Sequence, residues 1–456
     1  MKTVIYGIGE AAQQLIKLLE RSTYIQFTGF YDDFTKLKDF DNIEKLELDK
    51  IRELAEKGEI DHIILAIPSL KSFQKEAILA KLSEFRVPVS TLPTRHEMAS
   101  DEVKLSDIQP IRLTDLIMRE PFEINSAKLD MRLIDKVVLV SGGGGSIGAE
   151  LCRQIAKTSI KKIIILDSCE YNLFEIYEKL RGEKLPVVPI LADIKNFCAL
   201  ESIFAQYKPN YVFHAAAYKH VDLVEQNPLA AWDNNVVGTM NLYRAAKINS
   251  VESVTLVSTD KAVRPPNIMG ATKRICELIA QYYASQNADC SYQTVRFGNV
   301  LGSSGSVIPI FEKQINSGGP VTVRHPEVTR YFMSIPEACS LILEVGVVLR
   351  KPGVFLLDMG KPVRILDLAK KLISLKGFEA GCNGIDIVFT GLRPGEKLHE
   401  ELLIDEDSAS KITDRIYRSE EMTPIPDDFI SELSQIQNSN DISKLFIKYV
   451  DGYNKE

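Results

Sequence analysis

Three consecutive residues that can exchange or hold protons, Thr259, Asp260 and Lys261, follow an apolar run that predicts a β-strand. A hydroxyl, a carboxyl and an amine are groups that general acid–base catalysis uses. Met269 and Lys273 stand four positions apart a little further on, which places them on one face of a helix. A thioether cannot donate or accept a proton as a phenol can. The five residues form the candidate catalytic group, with proton transfer expected from side chains other than Met269.

A glycine-rich loop stands between a predicted strand, residues 136–140, and a predicted helix that continues to Lys157. Glycines at three-residue intervals let the backbone turn tightly and approach a pyrophosphate on the helix N-terminus. The loop residues expected to contact this cofactor are Gly142, Gly145, Ser146, Ile147 and Gly148. Asp167 ends the next strand, where a carboxylate can accept the ribose hydroxyls of adenosine and would repel a 2′-phosphate. The loop therefore predicts NAD rather than NADP.

Residues at the ends of the following strands are further cofactor candidates. Asp193 and Ile194 follow the third strand and are expected beside the adenine. Ala215, Ala216 and Ala217 supply small side chains where the backbone must lie against the cofactor. A well-packed strand end is the alternative interpretation for each of them.

Charged residues beyond the last predicted parallel strand form the candidate substrate site. Arg393 and Glu396 belong to a charged turn, and Arg296 and Asn299 follow the strand end. Arginine binds phosphate oxygens well, so these groups are expected to converge on a diphosphate. A solvated turn and a helix-capping asparagine are the alternatives. The full set of expected substrate contacts is Lys219, Arg296, Asn299, Ser306, Val307, Arg393 and Glu396.

Composition narrows the class of protein. The 456 residues suit two folded units, since domains average roughly 150 residues. Lys and Arg number 55 against 62 Asp and Glu, without blocks of like charge, so no nucleic-acid partner is expected. The seven cysteines are scattered and never spaced as Cys-x-x-Cys, which predicts neither a disulfide framework nor a metal site. No run approaches the ~18 apolar residues of a membrane span, and no signal-peptide pattern is seen, so we expect a cytoplasmic protein.

Two strand–glycine–helix starts divide the chain and predict an α/β fold. The second start opens a doubly wound parallel sheet, and the first opens a smaller Rossmann-like α/β domain. In that smaller domain Gly7, Gly9, Ala12 and Asp32 weakly resemble a dinucleotide fingerprint, with a structural or assembly role as the alternative. The predicted divisions are an accessory domain over 1–100, a connecting segment over 101–130, a catalytic domain over 131–405 and a C-terminal tail or helix over 406–456.

Five motifs together carry a family resemblance, and they span residues 142–148, 258–263, 269–274, 296–303 and 391–397. With them the chain resembles the configuration-retaining UDP-N-acetylglucosamine 4,6-dehydratases, in the polysaccharide-biosynthesis branch of the extended short-chain dehydrogenase/reductase superfamily. That superfamily usually carries a Tyr-x-x-x-Lys pair, and this type has methionine in the tyrosine position, as at Met269. The resemblance implies NAD as cofactor, a UDP-sugar substrate, bacillosamine-type sugar synthesis and a homo-oligomer.

The resemblance also implies a role for each candidate catalytic residue. Thr259 would hold the C4 hydroxyl during its oxidation, Lys261 would remove the C5 proton, and Asp260 would protonate the C6 hydroxyl as it leaves as water. Lys273 would bond the nicotinamide ribose. An acid Asp needs a raised pKa and a base Lys a lowered one, which burial favours. Adjacency favours the charged pair instead, unless the two side chains point to opposite sides of a strand.

Two alternatives remain open. A UDP-sugar 4-epimerase or ketoreductase has the same fold, but both normally depend on the tyrosine that is missing here. A non-catalytic protein that binds NAD and a nucleotide sugar would tolerate the loss of that tyrosine. The intact run from Thr259 to Lys261 argues against this second alternative.

Overall fold

The structure is a computed structural model, and it divides into two compact units. It describes residues 1–19, 24–33, 35, 37–93, 103–111, 115, 122, 124–183, 185–286, 288–303, 307–381, 384–401, 408–421 and 423–453. The first unit comprises Met1–Glu120, Gly305–Val328 and Val363–Gly391. The second unit comprises Pro121–Ser304, Thr329–Pro362 and Leu392–Glu456.

The first unit contains the smaller α/β sheet that alternating strands and helices predict. Its described strands lie in the order Gln26–Tyr31, Lys2–Tyr6, His62–Leu65, Val89–Thr91 and Gln109–Pro110, and the last of these runs antiparallel. Its helices are Glu10–Leu19, Leu48–Glu56, Ser72–Ser83, Val307–Asn316 and Ile365–Leu375, with a 3₁₀ turn at Leu105–Asp107. Shorter strands are Asp39–Phe40, Ile43–Glu44, Val321–Val323, Val363–Arg364 and Ile387–Phe389.

This first unit is larger than the predicted accessory domain of residues 1–100. The helix Ile365–Leu375, far away in sequence, packs against the helix Ser72–Ser83. The strand Gln109–Pro110 joins the sheet edge, so the predicted connecting segment, 101–130, also contributes to this unit. The division of the described chain therefore differs from the predicted boundaries, because two segments of the predicted catalytic domain return to the N-terminal unit.

The second unit contains the doubly wound sheet. Among the described residues its nine strands lie in the order Val187–Leu191, Lys162–Asp167, Val137–Ser141, Tyr211–His214, Ser253–Val257, Ser291–Arg296, Gly353–Leu357, Ile416–Ser419 and Ala409–Thr413. The first seven are parallel, and the last two form an antiparallel hairpin at the edge. Val138, Leu139 and Val140 are completely buried, as expected of a parallel strand covered on both faces. The predicted fold class is confirmed.

The helices of the second unit cover both faces of this sheet. They are Ser126–Leu133, Ser146–Ala156, Glu170–Leu180, Phe197–Tyr207, Val221–Gln226, Pro228–Ala231, Gly238–Ile248, Ile268–Gln286, Ile335–Leu343, Phe429–Leu433 and Ser439–Tyr449. Single π-helical turns extend two of them at Trp232–Val237 and Glu344–Leu349, and a 3₁₀ turn lies at Asp260–Ala262. Short strands at Asn299–Leu301 and Phe332–Ser334 pair in parallel, and Thr329–Arg330 is a further short strand.

The C-terminal residues are part of the core of this unit rather than the peripheral tail predicted for 406–456. Phe429 and Phe446 are completely buried in the cluster that also contains the helix Ile268–Gln286. The sequence did not predict this packing, because only every third or fourth residue of these short helices is apolar and the other face is charged. None of the helices among the described residues is both long and apolar enough to cross a bilayer.

Candidate active site

The strand Ser253–Val257 brings the predicted catalytic run to the carboxyl edge of the second sheet. It lies between parallel strands on both sides. Beyond the end of this strand the chain stays hydrogen-bonded to the segment of the neighbouring strand Ser291–Arg296. Ser258 N donates to Val295 O at 2.8 Å, and Asp260 N donates to Phe297 O at 3.0 Å. In open parallel sheets this edge is where ligands bind. The run is therefore fixed by the backbone at the place where a substrate is expected.

The side chains of Asp260 and Lys261 point to the same side, not to opposite sides as strand alternation would require. The chain turns into a 3₁₀ turn at Asp260–Ala262, which ends the alternation. Lys261 Nζ donates to Asp260 Oδ1 at 3.1 Å, and Thr259 Oγ1 donates to the same oxygen at 2.8 Å. The three predicted residues therefore form one hydrogen-bonded group.

A fourth residue, Glu400, completes this group and was not predicted. Lys261 Nζ donates to Glu400 Oε1 at 2.8 Å, so the ammonium bridges two carboxylates. Asn299 Nδ2 donates to Glu400 Oε2 at 3.0 Å, and Arg330 Nε lies 3.3 Å from Oε1. The side chain of Glu400 is only 5% exposed. No sequence spacing connects residues 139 positions apart, and the one available signal was the nearness of Glu400 to the charged turn at 393–397.

The protonation states of this group are opposite to those expected for Asp260 and Lys261. Burial alone would raise the pKa of Asp260, but the charge of Lys261 and the hydrogen bonds that Asp260 accepts lower it. Burial would lower the pKa of Lys261, but the charges of Asp260 and Glu400 raise it above its usual value. For Glu400, burial and the negative charge of Asp260 outweigh Lys261 and Arg330 and raise the pKa to about 7. Without substrate, the first two form the charged pair and Glu400 titrates near neutrality.

One oxygen of this group is left without a protein partner. Asp260 Oδ2 is buried and accepts no hydrogen bond from the described residues. Gly298 faces it, because a Cβ built on this glycine would come within 3.4 Å of Oδ2. A buried carboxylate oxygen normally has a hydrogen-bond donor. A protonated Glu400 would donate a hydrogen bond to Asp260, and this contact lowers the pKa of Asp260 and raises that of Glu400.

The helix Ile268–Gln286 carries the methionine and lysine of the predicted pair. Lys273 Nζ donates to Val257 O at 2.8 Å, and burial lowers the pKa of its ammonium. Met269 is 3% exposed and belongs to the apolar cluster of the unit. The structure thus places Lys273 beside the catalytic strand, and it places Met269 against the core.

Arg296 is a correction to the predicted substrate site. Its side chain is fully buried, and Nε and Nη2 each donate to a carboxylate oxygen of Glu277 at 2.8 Å. Ser258 Oγ donates to Glu277 at 2.7 Å, and Arg274 Nη1 donates to it at 3.0 Å. Burial would raise the pKa of Glu277, but its arginine partners hold the pKa at about 2. Because the guanidinium of Arg296 is buried and bound to Glu277, it cannot contact a phosphate.

The glycine loop has the shape that a pyrophosphate requires. Gly142 has φ +67°, and a Cβ there would lie 2.6 Å from Ala216 N. A Cβ on Gly148 would lie 2.1 Å from Gly142 O. Gly145 precedes the helix Ser146–Ala156 as its N-cap, so Ser146 and Ile147 form the first turn. The amides of Gly143, Gly144 and Gly145 donate within the protein, so an anion at this loop would bind at the first-turn amides of the helix, at Ser146 and Ile147.

Asp167 supports this loop from the neighbouring strand. Its Oδ2 accepts from Gly144 N and its Oδ1 accepts from Cys169 N, both at 2.9 Å. Each oxygen keeps a second lone pair, so the predicted contact to an adenosine ribose stays a prediction. Asp193 Oδ1 accepts from the backbone of Lys195 at 2.9 Å, which fixes the next strand end.

The other predicted cofactor residues surround the loop at the strand ends. Ala215 N donates to Ser141 O at 3.0 Å, which continues the sheet past its last ladder pair and carries the chain on through Ala216 and Ala217. Ile194 packs against Gly238, where a Cβ would come within 2.5 Å of its side chain. The structure does not test their contact with a cofactor.

The predicted substrate residues are only partly brought together. Glu396 Oε1 accepts from Arg330 Nη2 at 3.0 Å, and Arg330 also lies against Glu400, so the charged turn reaches the catalytic group. Arg393 pairs with Asp222, and Lys219 is exposed. Two further predicted contacts are not placed at this site: Ser306 lies outside the described residues, and Val307 is the first residue of a helix in the first unit.

The sequence matches known proteins along most of its length. The family model described as polysaccharide biosynthesis protein matches residues 138–421. The chain is 40% identical to the capsular polysaccharide biosynthesis protein CapD of Staphylococcus aureus, over 95% of this chain and 75% of CapD. The chain belongs to the polysaccharide biosynthesis protein family. This family lies in the extended short-chain dehydrogenase/reductase superfamily, so the superfamily and branch of the predicted resemblance are confirmed.

Solved structures share the fold of the second unit. Pen from Bacillus thuringiensis is 33% identical, with a TM-score of 0.57 over 63% of this chain and 88% of Pen. DesIV of Streptomyces venezuelae, a dTDP-glucose 4,6-dehydratase solved with NAD and TYD bound, is 22% identical, with a TM-score of 0.50 over 58% of this chain and 88% of DesIV. The likeness to DesIV concerns the fold alone. The chain is also 35% identical to the UDP-glucose 4-epimerase of Rickettsia canadensis, over 60% of this chain and 80% of that protein, so it is related to a nucleotide-sugar enzyme.

Proposed function

We propose that the protein is an NAD-dependent UDP-N-acetylglucosamine 4,6-dehydratase of polysaccharide biosynthesis. The observation that carries the proposal is that Thr259, Asp260 and Lys261 form one hydrogen-bonded group at the sheet edge. The helix Ile268–Gln286 carries methionine at position 269. A simple epimerase or reductase needs one proton-transferring group beside the C4 oxygen, whereas water elimination needs an acid and a base in addition. This group contains two titratable side chains, those of Asp260 and Lys261, and the exchangeable proton of the Thr259 hydroxyl.

The glycine loop fits NAD. Its backbone turns so tightly that a Cβ at Gly142 would collide with Ala216 and a Cβ at Gly148 with Gly142, and the loop lies before a helix N-terminus. Asp167 would select NAD by accepting ribose hydroxyls. Lys273 would bond the nicotinamide ribose. NAD, when bound, would accept a hydride from C4 of the sugar and supply it again to C6 within one turnover.

The side chains of the site would move the remaining protons. Thr259 would hold the C4 hydroxyl and take its proton while passing its own to Asp260 Oδ1, which it already contacts at 2.8 Å. Asp260 would thereby become the carboxylic acid that passes this proton to the C6 hydroxyl, and water would leave. Lys261 as the neutral amine would remove the C5 proton and return a proton to C5 at the end. No tyrosine is needed for the C4 hydroxyl in this scheme, but Lys261 must first lose its ammonium proton to act as the base.

A direct test is incubation of the purified protein with UDP-N-acetylglucosamine, without added NAD, in ordinary and in deuterated water. We expect a product lighter by one water, with one deuterium at C5 from the deuterated solvent. A mixture of C4 epimers without loss of water would support a 4-epimerase instead. An unchanged sugar, even with NAD supplied, would contradict the proposal for this substrate.

A further inference from the structure

The most informative group that the proposed function leaves unused is the carboxylate of Glu400. It contacts the amine of Lys261 at 2.8 Å, which is shorter than the 3.1 Å contact between Lys261 and Asp260. Asp260 Oδ1 is already shared between Lys261 and Thr259, whereas Glu400 Oε1 accepts its own hydrogen bond from the same ammonium. Lys261 therefore has a separate carboxylate for each of two hydrogen bonds.

Resting on the proposed function, we propose that Glu400 receives the ammonium proton of Lys261 and thereby converts Lys261 into the neutral base that acts at C5. An Nζ–H bond breaks and an O–H bond forms on Glu400 Oε1. The ammonium–carboxylate pair becomes an amine and a carboxylic acid, so the net charge of the buried group does not change. Glu400 acts through Lys261 and is a positioning residue rather than a group that touches the sugar.

The surroundings of Glu400 suit a group that alternates between the two protonation states. The charged groups that face it are Lys261, Asp260 and Arg330, and the amide of Asn299 donates to its Oε2. Arg330 and Asn299 stabilise the carboxylate, while burial and the charge of Asp260 stabilise the acid. Burial and Asp260 outweigh the groups that stabilise the carboxylate, so the pKa of Glu400 is raised to about 7. This value is close to neutral pH.

The inference predicts a particular pH dependence. Glu400 must be ionised to accept a proton, so kcat should fall as the pH drops through about 7 and be restored above it. In Glu400→Gln the amide still fits between Lys261 and Asn299 but accepts no proton. We expect kcat of E400Q to fall by about 10²- to 10⁴-fold, the usual range for lost proton transfer, with KM nearly unchanged. The fall in kcat below about pH 7, which we call the acidic limb, should be absent from the residual activity of E400Q.

The matched control is Glu401→Gln. Glu401 is the next residue, its side chain is 45% exposed, and it pairs with Lys397. E401Q makes the same chemical change one position away and should keep the rate and pH profile of the wild type. Glu400→Asp retains a carboxyl group one methylene shorter and should recover part of the rate together with an acidic limb.

Each outcome bears on a different claim. Wild-type rates and an unchanged pH profile in E400Q would overturn the role of Glu400 while leaving the dehydratase intact. If circular dichroism shows that E400Q does not fold, the test is made with E400D. An active E400D without an acidic limb would overturn the role proposed for Glu400. If neither the wild type nor E401Q dehydrates the sugar, the proposed function itself fails, and the role of Glu400 fails with it. The rate at which solvent deuterium appears at C5 should drop in E400Q in parallel with kcat.

Discussion

The two carboxylate oxygens of Asp260 have different surroundings. Oδ1 accepts from Thr259 and Lys261, while Oδ2 is buried without a partner among the described residues. The adjacency of Asp260 and Lys261 in the sequence was enough to predict the group. It was not enough to predict their charge states, because these depend on the direction of both side chains and on Glu400, which the fold brings from 139 residues away.

Replacing Asp260 with asparagine should abolish water loss while NAD stays bound. The amide cannot protonate the C6 oxygen, and the glycine loop that would hold NAD is unchanged by the substitution. We expect a loss of about 10²- to 10⁴-fold in dehydration, measured by mass spectrometry of the sugar. NAD released on denaturation should equal that of the wild type.

The control for this substitution is Asp414→Asn, because Asp414 is an exposed carboxylate with a 96% exposed side chain. It should leave the dehydration rate unchanged. Full dehydration by Asp260→Asn would contradict the acid role of this residue.

At the level of elements, the glycine loop was predictable because its function requires residue types that are visible in the sequence. Strand, glycine spacing and helix occur in order, and the observed strand Val137–Ser141 and helix Ser146–Ala156 follow that prediction. What the sequence does not reveal is how closely other backbone approaches. Gly142 lies against Ala216, which follows the strand Tyr211–His214, and that strand is the neighbour of Val137–Ser141 in the sheet.

Gly142→Ala should weaken NAD binding through this contact. A Cβ at position 142 would lie 2.6 Å from Ala216 N, so the loop must shift. Gly58→Ala is a matched control, because Gly58 has φ +66° against +67° for Gly142 but has no atom within 4 Å of its Cβ. Both should lose about 1 to 3 kcal/mol of unfolding free energy from left-handed backbone strain. Only Gly142→Ala should lose bound NAD, and equal NAD content in the two variants would contradict the cofactor role of the loop.

The buried ion pair under the catalytic strand shows why Arg296 was misassigned. Its position at a strand end is typical of a ligand-binding arginine, but sequence alone does not show that Glu277 of the helix Ile268–Gln286 meets it. The pair connects this helix to the strand Ser291–Arg296 and to Ser258. Its role is therefore to fix the frame that carries the catalytic residues.

Arg296→Met should destabilise the fold and not alter substrate affinity in the folded fraction. Removing one partner leaves the carboxylate of Glu277 buried with Arg274 as its remaining charge partner, so the unfolding free energy should fall by about 3 kcal/mol. Denaturant unfolding measures this loss. The double substitution Arg296→Met with Glu277→Leu should recover only part of it, because the buried carboxylate is removed but Arg274 then loses its charge partner. A KM increase without destabilisation would indicate a substrate contact instead.

At the scale of the whole molecule, the sequence predicted the second sheet better than the division of the chain. The strand predicted over residues 136–140 is observed at Val137–Ser141, and the strands predicted before Asp167 and before Thr259 are observed at Lys162–Asp167 and Ser253–Val257. The edge hairpin Ala409–Thr413 and Ile416–Ser419 was missed, because its strands are only partly buried and lack a continuous apolar run. Domain membership was missed for a related reason, since it depends on contacts between segments far apart in sequence.

The C-terminal helices should contribute to stability rather than form a dispensable tail. Phe446 is completely buried, and the next residue, Ile447, is 65% exposed. Phe446→Ala should lower the unfolding free energy by about 3 to 5 kcal/mol, as expected for a buried aromatic residue. Ile447→Ala should change it by about 0.5 kcal/mol or less. Thermal or denaturant unfolding measures both, and equal small effects would show that the segment does not belong to the core.

The central claim is that oxidation, water loss and reduction occur on one sugar with one bound cofactor. UDP-N-acetylglucosamine carrying deuterium at C4 tests it most directly. After conversion without added NAD, the proposed mechanism predicts that the product has lost one water and carries the deuterium at C6. Deuterium that remains at C4 of an epimer, or that is lost from the sugar, would contradict the mechanism.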